Sequence, residues 1–197
     1  MVQKENSVIF PEINTPRLAL IELKASDDVA VFNLFSNHKV VEYYDLEVFS
    51  HIEQARSLID LFQTRHAASL GIRWAICLKS SGGVIGTCGF NSWSQTMRSA
   101  VIGYDLLPDV WGNGYATEAV CAAVQAAFSG ELVCGVLNRI QADTVPGNDA
   151  SEALLRRLGF KEEGLRRESG YWKGAFHDLK CFGLLQSEFT PPIIDNT

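Results

Sequence analysis

Tyr104-Asp-Leu-Leu-Pro-Asp-Val-Trp-Gly-Asn-Gly-Tyr-Ala-Thr-Glu-Ala119 reads as the end of a strand, a glycine turn and the first turn of a helix. Such a junction attracts anions. The first N–H groups of a helix have no internal partner, and the aligned peptide dipoles place about half a positive charge there. Gly112 and Gly114 carry no Cβ, so the backbone can turn through dihedrals closed to other residues and approach phosphate oxygens closely. A pyrophosphate would satisfy both properties. Two other readings compete with it. The glycines could simply make a turn, or Gly112-Asn-Gly-Tyr-Ala-Thr117 could be a dinucleotide site, because it comes close to G-x-G-x-x-A. A dinucleotide fold should open a run of βαβ units and carry an acid at the end of the next strand, about 20 residues on; Glu131 precedes that strand instead. No Gly-Lys-Ser/Thr follows the glycines, which excludes a P-loop.

Working outward, Thr117 to Phe128 is mostly Ala and Val, helix material whose small side chains let it lie close on a sheet. Upstream, Ser99 to Leu107 supplies a strand, and Arg73–Leu78 and Val84–Phe90 flank Ser80-Ser-Gly-Gly83 as a hairpin. Ser50-His-Ile-Glu53 is a capping box that opens a helix carrying Ala55, Leu58, Ile59 and Phe62 on one face. Arg17 to Leu23 alternates as a strand, and Ser26-Asp27-Asp28 offers N-caps for a helix through Val31, Leu34 and Phe35. Downstream come a strand at Arg139–Val145, a helix at Ala150–Leu158 stopped by Gly159, and two extended runs around Gly170-Tyr-Trp-Lys-Gly174. The order is β, two helices, three strands, helix, strand, helix, two strands: a mixed α/β arrangement around one sheet.

The 197 residues, 47% apolar and 20% charged, fit a single globular domain spanning 1–197. A net charge of −6 disfavours nucleic acid, whose nonspecific binding rests on many Lys and Arg contacts to phosphate. Five scattered cysteines, none in C-x-x-C spacing, read as reduced thiols of a cytoplasmic protein. His38, His51, His66 and His177 show no zinc spacing, so no metal is expected. Met1–Pro11 lacks a signal-peptide core, and Ala119–Phe128 is too short to span a bilayer, so no membrane role is expected either.

Pro108 to Ala119 resembles motif A of the GNAT superfamily of acetyltransferases. Asn14-Thr-Pro-Arg-Leu18, Asn148-Asp-Ala-Ser151 and Leu154-Leu-Arg-Arg-Leu-Gly-Phe160 resemble the branch of Rim-type ribosomal-protein N-terminal acetyltransferases. The resemblance covers about residues 14–188. It implies the acyl-CoA N-acyltransferase fold, a central, mostly antiparallel sheet splayed at the cofactor site and flanked by helices, with acetyl-coenzyme A as cosubstrate. It implies that residues from Leu106 to Thr117 hold the cofactor. The Leu106 N–H would meet the thioester carbonyl oxygen, Leu107 and Pro108 would line the pantetheine arm, and Trp111, Gly112, Asn113, Gly114, Tyr115, Ala116 and Thr117 would surround the pyrophosphate. Trp111 stands where the family usually has Gln or Arg, which leaves binding by backbone N–H groups intact.

The same resemblance gives Asn148 a place beside the cofactor, compatible with the N-cap role that Asn also favours. It makes Ser151 a candidate general acid for the departing thiolate, against the reading of a solvent-facing helix residue. Many relatives carry a Tyr at the position of Leu155, which is absent here. Glu42 is the candidate base, in a Glu42–Glu47 loop that family architecture places over the acceptor; a solvated carboxylate is the plainer reading, and Asp105 is the other candidate. Arg156, Arg157 and Lys161 either reach the ribose 3′-phosphate or are solvated. Trp74, Phe90, Tyr171 and Trp172 read as core, and Trp93 as core or a border of the acceptor pocket. With a pKa near 8 an α-amine is roughly 10% neutral at pH 7, a lysine only about 0.04%. Without a clear base, the acceptor leans to a protein or peptide N-terminus, with a small amine such as a polyamine or aminoglycoside, or a non-catalytic coenzyme A-binding regulator, as alternatives. Dimers are common in the family, so a homodimer is an expectation of the resemblance alone.

Overall fold

A computed structural model describes residues 10–192; the reading of Met1–Pro11 as lacking a leader falls, for residues 1–9, outside them. One eight-stranded sheet has the order β1-β2-β3-β4-β5-β6-β8-β7. Its strands are β1 (Ile13–Asn14), β2 (Leu18–Glu22), β3 (Ile72–Leu78), β4 (Val84–Ser94), β5 (Ser99–Leu106), β6 (Arg139–Thr144), β7 (Lys161–Trp172) and β8 (Ala175–Leu185). The helices are α1 (Asp28–Phe35), α2 (His38–Val41), α3 (Ile52–Ala67), α4 (Tyr115–Ser129) and α5 (Asp149–Arg157). This is the mixed α/β sheet expected of the acyl-CoA N-acyltransferase fold. A run of parallel βαβ units, which a dinucleotide fold would need, is not what these strands form.

Apart from Arg73, β3 is apolar without alternation because both of its faces are buried. Trp74 and Ile76 pack into the layer that holds α4 and α5, while Ala75 and Cys77 join Leu34, Phe35 and Ile59 from α1 and α3. The small side chains of α4 do what the sequence suggests: Ala119, Ala123 and Ala127 are fully buried against the sheet. Gly114 and Gly130 bound the helix, both in the left-handed region at φ +76° and +83°.

Every neighbouring pair of strands is antiparallel except β5 and β6, which α4 connects as a parallel crossover. They pair only through Ser99–Arg139, Ala100–Ile140 and Val101–Gln141. Beyond that point β5 continues to Leu106 on β4, and β6 continues to Thr144 on β8. The sheet therefore splays between the two strands, toward the start of α4.

Three local readings change. The capping box shifts by one residue. His51 is the N-cap of α3, and the Gln54 side chain, not Glu53, accepts the N–H groups of Ser50 (2.8 Å) and His51 (3.0 Å). A short strand, β1, precedes the expected first strand, because Thr15 turns the chain back through mutual bonds with Leu18. Tyr171 is not core: it is 64% exposed on the β7–β8 hairpin, against an equally exposed Phe176.

Candidate active site

The splay opens into a cleft of about 610 Å³ walled by the end of β5, the glycine loop, the first turns of α4 and α5, and residues from Lys39 to Tyr44. That volume lies in the range of small-molecule sites.

The Leu107 N–H donates to the Ile85 carbonyl of β4 at 2.9 Å. By the alternation of antiparallel pairs, the N–H and C=O of Leu106 point the other way, into the gap that β6 has left. The Leu106 carbonyl is already occupied, accepting from the Trp111 indole Nε1 at 2.8 Å; its N–H faces the gap. Pro108–Val110 forms a 3-10 turn, and Gly112 and Gly114 then turn through φ +78° and +76°. The Glu118 N–H makes the first helical bond, to Gly114 at 3.0 Å. The N–H groups of Tyr115, Ala116 and Thr117 have no partner inside α4 and stand at the cleft with the positive end of the helix. Of the residues that the resemblance assigns to the cofactor, Leu106, Trp111, Gly112, Gly114, Tyr115, Ala116 and Thr117 line the cleft. Leu107 packs away from it beside the α1–α3 core. Pro108 and Asn113 stand outside its lining, the Asn113 amide closing the loop on the carbonyls of Val110 and Trp111 at 3.1 Å each.

A brace under this loop was not legible beforehand. Glu118, fully buried on α4, accepts from the Thr15 hydroxyl (2.6 Å), the Arg17 N–H (2.9 Å) and the Arg17 Nε (2.6 Å). The same guanidinium donates to the Asn113 carbonyl at 3.0 Å and covers the Tyr115 ring. Burial pushes the Glu118 carboxyl up, but these hydrogen bonds outweigh it and hold the group below its usual range. The available signal was a carboxylate in an otherwise apolar helix, which needs a partner.

Across the cleft, Asn148 is the N-cap of α5, its side chain accepting the Ser151 N–H at 3.3 Å. Ser151 is half-buried and lines the cleft rather than facing bulk solvent, with its Oγ 2.6 Å from the Tyr104 hydroxyl. Tyr104, two residues before Leu106 on the same face of β5, is absent from the residues that the sequence singles out. Burial, opposed by the Ser151 bond, pushes its phenol above the ordinary range. Leu155 is fully buried in the core, leaving no side chain of its own in the cleft.

The two candidate bases differ. Asp105, on the face of β5 opposite Tyr104, also lines the cleft; it is buried and accepts from Arg73 and from Thr87 Oγ1 (3.0 Å). Arg73 also binds Thr87 and Asn91. Burial pushes the Asp105 carboxyl up, against the pull of Arg73 and Thr87, whose hydrogen bonds both fall on Oδ2. Glu42 is exposed at the cleft mouth beside Tyr43, whose phenol its charge pushes up. Tyr43 reaches across toward α5, where a Cβ on Gly147 would meet its hydroxyl at 3.7 Å. Lys173, at the tip of the β7–β8 hairpin, donates to the Val41 carbonyl behind this wall.

Of the basic run, Arg156 is paired with Glu152 (2.9 Å) and Glu162 (2.8 Å), and Lys161 with Glu188, and neither lines the cleft. Arg157 stands at the cleft rim. Trp93 is not at the cleft; its indole is bound to the Ser69 carbonyl at 2.6 Å. Among the described residues, no group of three or more His, Cys, Asp or Glu is placed to hold a metal, and no helix is long and apolar enough to cross a membrane.

Residues 17–161 match the family described as "Acetyltransferase (GNAT) domain", and the chain belongs to that family. It is an acetyl-coenzyme A-dependent N-acetyltransferase. The uncharacterized N-acetyltransferase YoaA of Bacillus subtilis is 38% identical over 90% of this chain and 98% of its own length. The putative ribosomal N-acetyltransferase YdaF of the same organism is 35% identical over 55% of this chain and 57% of its own. A spermidine N(1)-acetyltransferase of Vibrio cholerae is 23% identical over 88% and 95%. Among solved structures, the ribosomal L7/L12 alpha-N-protein acetyltransferase RimL in complex with coenzyme A superposes with a TM-score of 0.76 at 22% identity, over 89% of this chain and 98% of that one.

Proposed function

We propose that this enzyme moves the acetyl group of acetyl-coenzyme A directly to the α-amine of a protein or peptide N-terminus in the cytoplasm, as one catalytic domain with its core at about 14–188. The observation that carries the reading is a single cleft that holds both an unpaired Leu106 N–H and the Ser151 hydroxyl. The open N–H groups of α4 take the pyrophosphate. The Leu106 N–H stabilises the charge that develops on the thioester oxygen, a large term in acyl transfer. Ser151 gives its proton to the departing sulfur, and Glu42 at the mouth receives one from the incoming amine. Asn148 fixes the first turn of α5 and so the height of Ser151.

The α-amine is favoured because Asp105 is tied to Arg73 and the other carboxylates lining the cleft, Glu42 and Asp149, are exposed. An amine that is already partly neutral at pH 7 suits such a site. The likeness to proteins named as ribosomal acetyltransferases supports the same choice.

Calorimetric titration with acetyl-coenzyme A, beside an identical titration with NAD, tests the cofactor. Turnover is then compared between a short peptide with a free N-terminus, the same peptide blocked at its α-amine but carrying lysine, and spermidine. Preference for the free N-terminus supports the proposal, whereas preference for spermidine replaces the acceptor. Binding without turnover of any amine would make the chain a coenzyme A-binding regulator.

A further inference from the structure

Ser151 can protonate a leaving sulfur only if its hydrogen points into the cleft. A serine hydroxyl has one hydrogen and two lone pairs, and its rotor goes wherever the best local partner lies. In the first turn of a helix that partner is often a backbone carbonyl. Here the partner is Tyr104, whose oxygen lies 2.6 Å from Ser151 Oγ and 3.4 Å from the Ser151 carbonyl.

We propose that Tyr104 is a positioning residue: its phenol donates to Ser151 Oγ and thereby turns the serine hydrogen toward the leaving sulfur. Three observations carry this. Of the two acceptors within reach of the phenol hydrogen, Ser151 Oγ at 2.6 Å is much nearer than the Ser151 carbonyl at 3.4 Å, so the phenol donates to the hydroxyl. The Asn148 side chain, the other acceptor near Ser151, is taken by the Ser151 N–H. Among the described residues Ser151 Oγ has no other hydrogen-bond partner, so its own hydrogen has nowhere to go but the cleft. Tyr104 is held by packing against the core through β5 and cannot follow the substrate.

The inference rests on Ser151 acting as the acid. As the amine nitrogen bonds to the acetyl carbon and the C–S bond breaks, the electron pair leaves with sulfur and the Ser151 hydrogen follows it to give the thiol. The proton lost by the nitrogen passes to Glu42 and on to solvent, and solvent returns one to the serine oxygen. The phenol keeps its own proton throughout, which its burial favours, and its hydrogen bond stabilises the serine oxygen while that oxygen is short of a proton.

The test is a double-mutant cycle on kcat, with KM for acetyl-coenzyme A and the thermal midpoint measured for each form. Tyr104→Phe should lower kcat about five- to tenfold, the worth of one hydrogen bond, at unchanged KM and midpoint. Ser151→Ala should lower it at least as much, and the double variant should match Ser151→Ala alone. An unchanged rate in Tyr104→Phe, or a loss of the same factor in the Ser151→Ala background, overturns the inference and leaves the function intact. Full activity in Ser151→Ala removes the acid itself. The solvent deuterium effect on kcat should fall in Tyr104→Phe; a packing role would not move it.

Discussion

Arg17 and Glu118 lie 101 residues apart in sequence and 2.6 Å apart in the fold, joining the strand β2 to the helix whose N-terminus faces the cleft. The carboxylate is fully buried and the guanidinium about a quarter exposed. Replacing Glu118 by Gln should destabilise the fold by about 2–3 kcal/mol, less than for a wholly buried pair because Arg17 can turn to water. It should raise KM for acetyl-coenzyme A more than it lowers kcat, since the guanidinium also holds Asn113. The pH dependence has a definite sign. The folded carboxyl sits below its unfolded value, so the stabilisation is complete above that value, about 4.3, and is lost as pH falls through the folded one. Unfolding free energies of the two forms should converge in acid.

Gly114→Glu should abolish acetyl-coenzyme A binding while the domain stays folded. Position 114 has φ +76°, and a Cβ there meets only Arg17 at 3.4 Å. The backbone strain costs about 1–2 kcal/mol, whereas a carboxylate placed at the open end of α4 repels pyrophosphate. Calorimetry should find no saturable binding, and circular dichroism a midpoint lowered by only a few degrees. Unchanged affinity would remove the glycine loop from the cofactor site.

His66 is buried beside Phe10, its ring centroid 4.8 Å away, and among the described residues its Nε2 has no hydrogen-bond partner. Burial lowers its pKa, against the pull of Glu22. The unfolded chain therefore takes up the proton first. Stability should be complete above the unfolded value, near 6.5, and should decline as pH falls toward the folded one. His66→Phe should flatten the unfolding curve just below about pH 6.5, a window above that of Glu118.

Cys181 is half-buried and accepts from Arg166 Nε at 3.0 Å, while Cys77, Cys88, Cys121 and Cys134 are buried. Burial pushes the Cys88 thiol up to about 12 and that of Cys134 up to about 11. Iodoacetamide at pH 8 should label Cys181 in the native protein and the other four only at the rate of unfolding. Mass spectrometry of the peptides would distinguish the sites.

Much of this molecule is legible in one stretch of sequence. Gly112 and Gly114 mark the turn, the small residues of α4 mark its packing, and the order of elements follows from apolar periodicity. What could not be read is whatever depends on distant elements meeting. Tyr104, the one aromatic residue of β5, reads as packing until α5 brings Ser151 over it. Asp105 reads as a free carboxylate until β3 sets Arg73 against it. Arg156 and Lys161 read as phosphate ligands or solvated charges until β7 and the chain after β8 supply Glu162 and Glu188 as partners. The helix caps show the same limit on a smaller scale: Glu53 and Gln54 both fit a capping box, and the entry angle of the chain at His51 selects the second.

The splay between β5 and β6 has a mechanical consequence. Only three residue pairs tie the two parts of the sheet together, so the joint relies on side chains of α4 and α5 laid across it. Apolar contacts are non-directional and tolerate small sliding where a hydrogen-bond ladder would not. Pulled from its ends, the molecule should therefore part along this line first, with β6, β8 and β7 leaving as one leaf. A long ligand seated in the gap would act as a rivet between the leaves.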